Sequence, residues 1–422
     1  MLTTMLLIMV VLLVLGFPMM ITMLSATIIT TLVFLPNIQP IVIVQQMMLG
    51  VQGFVLLSVP MFMFAADIMV AGHTANKLLD FVESFVGHIW GGLAITTATT
   101  CALFGSISGS TQATVVAIGR PMRSKLLDRG YHDSDIMALI INSSDLAYLI
   151  PPSIGMIMYG VISGTSIGDL FIAGLVPGIL VLVLFSLFSI FYARAKKIPL
   201  MKKATWGERL TYTKKSLLTF GFPIIIIGGI YSGFFSPTEA AAFSVLYAIV
   251  LEVFIFKSVK FKDLSKIAIS TGIVTTVVFV LVGTGTAFAW VLSYARIPQT
   301  ITTAVLGVDP SMLKVLITVN IAFFLGCMLV DPLVVIIILT PIFYPSAVAA
   351  GIDPVHLGII ITLQVAIGSA TPPFGYDIFT ACAIFDKPYL DVIRRTPPFF
   401  LLLLISAVLI TLVPEISLFF VR

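Results

Sequence analysis

Charged residues are scarce in this sequence. Only 10% of its 422 residues are Asp, Glu, Lys or Arg, whereas a typical soluble domain has about 25%. Hydrophobic residues make up 59% of the chain, which is more than one soluble core could bury. The net charge of +4 is not gathered into a basic stripe, so no nucleic-acid partner is expected. The lipid bilayer must therefore cover the apolar surface.

Reactive and metal-binding groups are equally few. The three cysteines, Cys101, Cys327 and Cys382, lie in apolar stretches and have neither metal-site nor disulfide-framework spacing. No Gly-rich loop ending in Lys and Ser or Thr is present, which argues against an ATP-driven pump. No nucleophile–base pair is recognisable either. We therefore expect neither an enzyme nor a bound organic cofactor.

The apolar residues form stretches of roughly 18–25, enough for a helix to cross about 30 Å of hydrocarbon. They do not alternate with polar residues as barrel strands would. We therefore predict an all-α polytopic membrane protein with about ten spans. These spans lie near residues 2–16, 19–36, 48–71, 135–163, 168–193, 217–235, 238–256, 267–293, 355–384 and 397–420.

The Lys and Arg residues form four clusters, which the positive-inside rule places in the cytoplasm. They fall within residues 120–129, 194–215, 257–266 and 387–395. The connections near residues 36–40, 164–169, 236–237, 298–310 and 345–354 have few basic residues and are predicted to face outward. This arrangement also predicts that both termini are periplasmic.

Two further apolar stretches, residues 88–120 and 312–346, must begin and end on the same side of the membrane. Each is too long for a loop and has a polar or broken middle, at residues 105–110 (tip 1) and 326–332 (tip 2). We therefore predict two re-entrant helical hairpins. The second should enter from the opposite face, because each half has an odd number of spans.

The halves 1–200 and 216–422 repeat the same plan. Gly16-Phe17-Pro18 recurs as Gly221-Phe222-Pro223, Pro121 as Pro341, and Pro151-Pro152 as Pro372-Pro373. The common order of these matches indicates a duplication. Inverted repeats of this kind are typical of secondary transporters.

The two Pro-Pro pairs, Pro151-Pro152 (break 1) and Pro372-Pro373 (break 2), are predicted to interrupt the spans 135–163 and 355–384. Proline removes a backbone donor and frees a carbonyl, and such backbone survives at membrane depth only inside protein or beside an aqueous cavity. The freed carbonyls can hold a cation, and the helix N-termini can face an anion. Each break is expected to face the hairpin tip of its own repeat.

With these residues in view, the whole chain resembles the large membrane subunit of tripartite ATP-independent periplasmic (TRAP) transporters, of the C4-dicarboxylate permease type. The stretches that carry the resemblance are residues 86–88 with 91–93, 104–110, 150–154, 170–174, 229–233 with 236–242, 339–342, 351–356 and 371–373.

The resemblance implies Na⁺-driven import of a small organic anion: a dicarboxylate, sialic acid or another sugar acid, or a sulfonate. It implies a location in the bacterial inner membrane and two partner proteins, a small four-helix membrane subunit and a soluble periplasmic substrate-binding protein. It also implies an elevator mechanism. Residues 88–163 and 312–384 would form the mobile transport domain, and the remaining helices the scaffold.

Hydroxyls, carbonyls and carboxylates are suitable ligands for a hard cation, and such groups lie beside both breaks. The first Na⁺ site is predicted at Ser106, Ser108, Gly109, Asn142, Ser143, Ser144, Asp145 and Ile150. The second is predicted at Gly326, Leu329, Val330, Gly368, Ser369 and Thr371. The predicted substrate residues are Ser108, Ser110, Pro152, Ser153, Thr371 and Pro373.

Two other functions fit parts of the pattern. A stand-alone ion-coupled carrier or antiporter would have the same breaks and need no partners. A non-transporting membrane scaffold would explain the hydropathy but not the polar tips.

Overall fold

A computed structural model of the protein describes residues 1–307 and 310–421, and these residues form helices and no strands. The first half contains Leu2–Val14, Met19–Phe34, Ile41–Val51, Phe54–Leu57, Ser58–Ala71, Thr74–Val86, Gly92–Ser108, Thr111–Asp128, Asp133–Ser144, Leu146–Leu149, Ile154–Ser163, Ile167–Ala173 and Leu175–Ala195. The all-helical prediction is confirmed.

The second half follows the same order. It contains Trp206–Ser216, Gly221–Pro223, Ile224–Gly228, Gly229–Tyr231, Pro237–Ile249, Val250–Ile255, Phe261–Asp263, Leu264–Tyr294, Ile297–Leu306, Met312–Leu329, Pro332–Ala349, Pro354–Ser369, Tyr376–Phe385, Tyr389–Ile393, Pro397–Leu412 and Glu415–Leu418. Phe54–Leu57 and Phe261–Asp263 are 3₁₀ turns, while Ile224–Gly228 and Val250–Ile255 are π-helical.

Among the described residues, seven helices are long and apolar enough to cross a membrane, or eight if the bent pair Trp206–Ser216 and Gly221–Tyr231 counts as one span. Other predicted spans are shorter apolar helices, such as Leu2–Val14 and Pro397–Leu412. The predicted span 48–71 is two helices, because the chain turns between Val51 and Phe54.

Two amphipathic helices precede the hairpins, and the sequence reading missed both. Thr74–Val86 lies before the first hairpin and Ile297–Leu306 before the second. The second occupies most of the stretch 298–310, which was predicted as a connection; Val308 and Asp309 lie outside the described residues. Both helices are too short and too polar on one face to register as apolar stretches. We call them the arms.

The first hairpin, hairpin 1, consists of Gly92–Ser108 and Thr111–Asp128. Its second helix continues to Asp128, beyond the predicted end at residue 120. Pro121 lies inside this helix, and the basic residues of the cluster 120–129 lie along its last turns. Hairpin 2 consists of Met312–Leu329 and Pro332–Ala349. Both predicted hairpins are present, and each turns at the predicted tip.

The two Gly-Phe-Pro tripeptides lie at similar positions in the two halves. Gly16-Phe17-Pro18 lies between Leu2–Val14 and Met19–Phe34. Gly221 begins the helix Gly221–Tyr231, after a bend of 51° that follows Trp206–Ser216. Each tripeptide therefore lies where the first two helices of its half meet.

Four helices pack together in one group: Ile41–Val51, Ser58–Ala71, Pro237–Ile249 and Leu264–Tyr294. Small residues allow close approach within it, since a Cβ on Gly283 would lie 3.1 Å from the carbonyl oxygen of Met47. A partly buried hydrogen bond also joins them, from the Thr271 hydroxyl to the Asp67 carboxylate at 2.5 Å. We call this group the scaffold.

Leu175–Ala195 and Pro397–Leu412 pack against each other and against the hairpin and broken-span helices. The Phe399 ring contacts the rings of Phe185 and Phe188, at centroid distances of 5.5 and 5.0 Å. The predicted division placed both helices in the scaffold. Both helices contact residues within 88–163 or 312–384, and the division itself stays a prediction.

Candidate functional site

Tip 1 lies directly against break 1. The Ile154 N–H donates to the Gly109 carbonyl across the contact, at 3.4 Å. Gly109 has a φ of +62°, and a Cβ there would lie 2.4 Å from the Pro152 carbonyl oxygen. Only glycine fits this position. Ser153 caps the helix after the break, because its hydroxyl accepts from the Met156 N–H at 3.3 Å.

Tip 2 meets break 2 in the corresponding way. The Phe374 N–H donates to the Met328 carbonyl at 3.3 Å, and a Cβ on Gly368 would lie 2.5 Å from the Cβ of Cys327. The Pro151-Pro152 and Pro372-Pro373 peptide bonds are both cis. Each break therefore faces the tip of its own repeat, as the sequence predicts.

The two repeats also exchange helices beyond the breaks, which the sequence reading missed. Ile154–Ser163, after break 1, packs on Pro332–Ala349 of hairpin 2. Tyr376–Phe385, after break 2, packs on Thr111–Asp128 of hairpin 1. Gln112 donates from its side-chain amide to the Thr380 hydroxyl across this contact, at 3.1 Å. The tips and breaks thus form one assembly.

Asp377 lies at the centre of this crossover. Its carboxylate is fully buried and accepts from the Thr111 hydroxyl of hairpin 1 and from the Ser369 hydroxyl before break 2, each at 2.7 Å. Sequence reasoning missed Asp377 as a site residue. The available signal was an acidic residue within an apolar stretch, which is a functional candidate by default.

The residues of the predicted first Na⁺ site divide into two groups. Three have intrahelical partners: Ser106 donates to the Leu103 carbonyl, Asn142 to that of Ala138, and Ser144 to that of Ile141. Two lack partners: the Ser143 hydroxyl and both Asp145 carboxylate oxygens are buried without a hydrogen bond to any described residue. Gly109 and Ile150 contribute backbone beside the break.

The predicted second Na⁺ site is more open. Gly326, Leu329 and Val330 lie at the end of the first helix of hairpin 2, and they can offer a cation only their backbone carbonyls because their side chains contain no ligand atom. The Thr371 hydroxyl donates to the Ile367 carbonyl at 2.6 Å, and Ser369 contacts Asp377. Gly368 lies against the tip. Asp331 caps the next helix by accepting from the Leu333 N–H at 2.9 Å.

The predicted substrate residues lie around the same contacts. Ser108 is 3.2 Å from the Thr114 hydroxyl, and Ser110 caps Thr111–Asp128 by accepting from the Ala113 N–H. Ser153 and Pro152 are buried, whereas Thr371 is half-buried and Pro373 is exposed. These groups provide hydroxyls, carbonyls and two capped helix N-termini beside the tips and breaks.

Lys and Arg are absent from this region of the sequence. None occurs in residues 78–119, 130–193 or 315–386, which include both tips and both breaks. These segments therefore offer a bound anion N–H groups and hydroxyls, and no basic side chain of their own.

The comparisons with known proteins agree with this architecture. The family described as "Tripartite ATP-independent periplasmic transporter, DctM component" matches residues 6–416. The structure of the Alcanivorax borkumensis YdaH transporter has a similar fold, with a TM-score of 0.61, 15% sequence identity, and coverage of 88% of this chain and 86% of that one.

Three relatives show how close the match is in sequence. The Halomonas elongata ectoine TRAP transporter large permease protein TeaC is 56% identical, over 97% of this chain and 96% of its own length. The Ruegeria pomeroyi ectoine/5-hydroxyectoine TRAP transporter large permease protein UehC is 54% identical, over 99% of this chain and 97% of its own length. The Pseudomonas aeruginosa C4-dicarboxylate TRAP transporter large permease protein DctM is 37% identical, over 87% of this chain and 86% of its own length. With its hairpins, breaks and near-complete coverage, this chain belongs to the DctM family of large permease proteins of TRAP transporters.

Proposed function

We propose that this chain is the large membrane subunit of a Na⁺-coupled TRAP transporter that imports a small zwitterion of the ectoine class. The observation that carries the substrate is the identity of 54–56% to two ectoine permease proteins, against 37% to a dicarboxylate one. Ectoine has one carboxylate and one amidinium group. The proposed substrate is therefore narrower than the organic anion that the sequence predicts: it has one carboxylate and one positively charged group.

The lack of Lys and Arg near the tips supports the same substrate class. A dicarboxylate has two negative charges to stabilise in a region that contains Asp145, Asp331 and Asp377. A zwitterion has no net charge, so its transfer to this region costs less electrostatic energy. Its single carboxylate would bind the hydroxyls and N–H groups near Ser108, Ser153 and Thr371.

The transport cycle follows from the contacts at the tips. Na⁺ ions bind where tip 1 meets break 1 and where tip 2 meets break 2, and they order the backbone there before the substrate arrives. The substrate is delivered by a periplasmic binding protein, and a small four-helix membrane subunit completes the complex. The protein lies in the bacterial inner membrane with both termini in the periplasm.

The mobile unit comprises residues 88–163 and 312–384, together with Leu175–Ala195 and Pro397–Leu412. It moves against the scaffold as an elevator, and the arms Thr74–Val86 and Ile297–Leu306 accommodate the movement at each hairpin. The packing of Leu175–Ala195 on Gly92–Ser108 and of Pro397–Leu412 on Pro354–Ser369 supports their inclusion.

Reconstitution tests this function. The chain, its small subunit and its binding protein would be placed in proteoliposomes and supplied with radiolabelled ectoine. We expect uptake only with an inward Na⁺ gradient and only with the binding protein. Unlabelled ectoine should compete, whereas succinate, sialic acid and isethionate should not. Uptake driven equally by K⁺ would disprove the Na⁺ coupling, and competition by succinate alone would disprove the substrate class.

A further inference from the structure

Two buried carboxylates from different repeats lie near one another in the transport unit. Asp145 ends the helix before break 1, and Asp377 lies in the helix after break 2. Their exposed fractions are 2% and 0%. The turn Leu146–Leu149, directly after Asp145, packs on Pro354–Ser369, whose Ser369 donates to Asp377. Two such carboxylates at membrane depth need compensation by a positive charge or a proton.

Their hydrogen bonding differs. Asp377 accepts one hydroxyl on each oxygen, from Thr111 and from Ser369. Neither oxygen of Asp145 has a partner among residues 1–307 and 310–421. A buried polar group without a partner costs about 1–3 kcal/mol, and more if it is charged. Protonation of Asp145 would remove its charge, but the added O–H group would then need an acceptor of its own.

A basic side chain cannot compensate the pair from the neighbouring segments. Residues 78–119, 130–193 and 315–386 contain no Lys or Arg, and these stretches include hairpin 1 up to Gly119, both breaks and most of hairpin 2. The near-complete burial of both carboxylates also excludes a group as large as the substrate. A small hard cation with oxygen ligands satisfies both requirements.

We propose that Asp145 and Asp377 hold a third Na⁺ ion between the two repeats, separate from the two ions at the tips. The inference rests on the cation coupling proposed above, and it moves Asp145 out of the first tip site. Thr111 and Ser369 position the Asp377 carboxylate from hairpin 1 and from the segment before break 2. Binding of this ion therefore connects the two repeats directly.

The test is a count of bound ions. Equilibrium binding of ²²Na⁺ would be measured on the purified full chain in detergent, with choline replacing Na⁺ in the background. We expect three ions on the wild type and two on Asp145→Asn and on Asp377→Asn. Asp67→Asn is the matched control, because it removes a half-buried carboxylate that accepts a threonine hydroxyl in the scaffold; it should bind three.

The outcomes are distinguishable. Equal counts on the wild type and on Asp145→Asn would overturn the third site while leaving the tip ions in place. An absence of Na⁺ binding by the wild type would overturn the proposed cation coupling itself. A count of two on the wild type, with uptake that depends on pH through Asp145, would assign a proton to the pair and also overturn the inference.

Two milder variants keep the test decisive if the Asn variants do not fold, as judged by size-exclusion chromatography. Thr111→Val and Ser369→Ala retain both carboxylates and remove one hydroxyl each. We expect three ions at saturation and a several-fold weaker affinity for one of them. Wild-type affinity for all three ions in both variants would contradict the role of Asp377.

Discussion

At the scale of single residues, the contact between each tip and its break depends on the absence of a side chain. Gly109 combines a left-handed φ with a carbonyl 2.4 Å from where a Cβ would lie. Gly130 also has a positive φ, of +85°, but nothing lies within 4 Å of its Cβ position. Substitutions at these two glycines therefore distinguish the effect of a strained φ, which both share, from the effect of a steric clash, which only Gly109 would have.

Gly109→Ala should therefore reduce the rate of Na⁺-dependent uptake at least tenfold, because the added methyl group displaces tip 1 from Pro152. Gly130→Ala should retain most of the uptake and lose only about 1–2 kcal/mol of stability from the strained φ. Uptake in proteoliposomes and thermal unfolding would be measured on both. Equal loss of uptake in the two variants would show that strain, and not the contact between tip and break, is responsible.

Ser108 and Thr371 test the predicted binding roles. Ser108→Ala and Thr371→Val should raise the Na⁺ concentration needed for half-maximal uptake several-fold. Thr276→Val is the matched control, since Thr276 and Thr371 both donate to the carbonyl four residues earlier, at 2.8 and 2.6 Å. Unchanged Na⁺ dependence in both site variants would remove these residues from the sites.

At the scale of helices, ion pairs join three elements at the end of the transport unit opposite the tip of hairpin 1. Asp133 accepts from Arg123 of hairpin 1 at 2.6 and 2.7 Å, and it lies 3.3 Å from Lys387, which follows the helix after break 2. The side chain of Asp133 is 26% exposed. Partly exposed pairs of this kind contribute about 1 kcal/mol.

Asp133→Asn should lower the melting temperature by a few degrees, and the difference should shrink at high salt because ions screen the pairs. Asp391→Asn is the control: Asp391 is exposed and has no ion pair within the described part of the chain. Differential scanning fluorimetry at low and high ionic strength measures both. If Asp133→Asn lowers the melting temperature equally at low and high salt, the lost stability comes from packing and not from the ion pairs.

At the scale of the whole molecule, the elevator proposal predicts that hairpin 2 must slide past the scaffold. A Cβ on Gly285 of the scaffold would lie 3.3 Å from the Cβ of Ile337 in hairpin 2. After replacement of Cys101, Cys327 and Cys382, the pair Gly285→Cys and Ile337→Cys should cross-link under oxidation and stop uptake. Reduction should restore it.

The control cross-link lies within the scaffold. A Cβ on Gly283 would lie 3.6 Å from Cγ1 of Val51, so Gly283→Cys with Val51→Cys should cross-link without stopping uptake. Uptake that persists after full cross-linking of Gly285 to Ile337 would contradict movement at this interface. Mass spectrometry would measure the extent of both cross-links.

The sequence by itself determined the features that depend on the solvent and on the local backbone. Few charges and long apolar stretches require a membrane, and Pro151-Pro152 and Pro372-Pro373 interrupt helices wherever those helices pack. The basic clusters and the two polar tips then determine where the hairpins lie. These signals are local, so they can be read without knowing which residues meet.

Only the tertiary structure decided which distant residues come together. The exchange of helices after the breaks brings Thr111 to Asp377 across 266 positions, and no local pattern encodes that contact. The arms were missed because amphipathic helices of 10–13 residues do not register as spans. Asp377 has hydroxyl partners and Asp145 has none among the described residues, and this difference depends on how the two repeats pack, because burial removes water and leaves each oxygen only the partners that its neighbours supply.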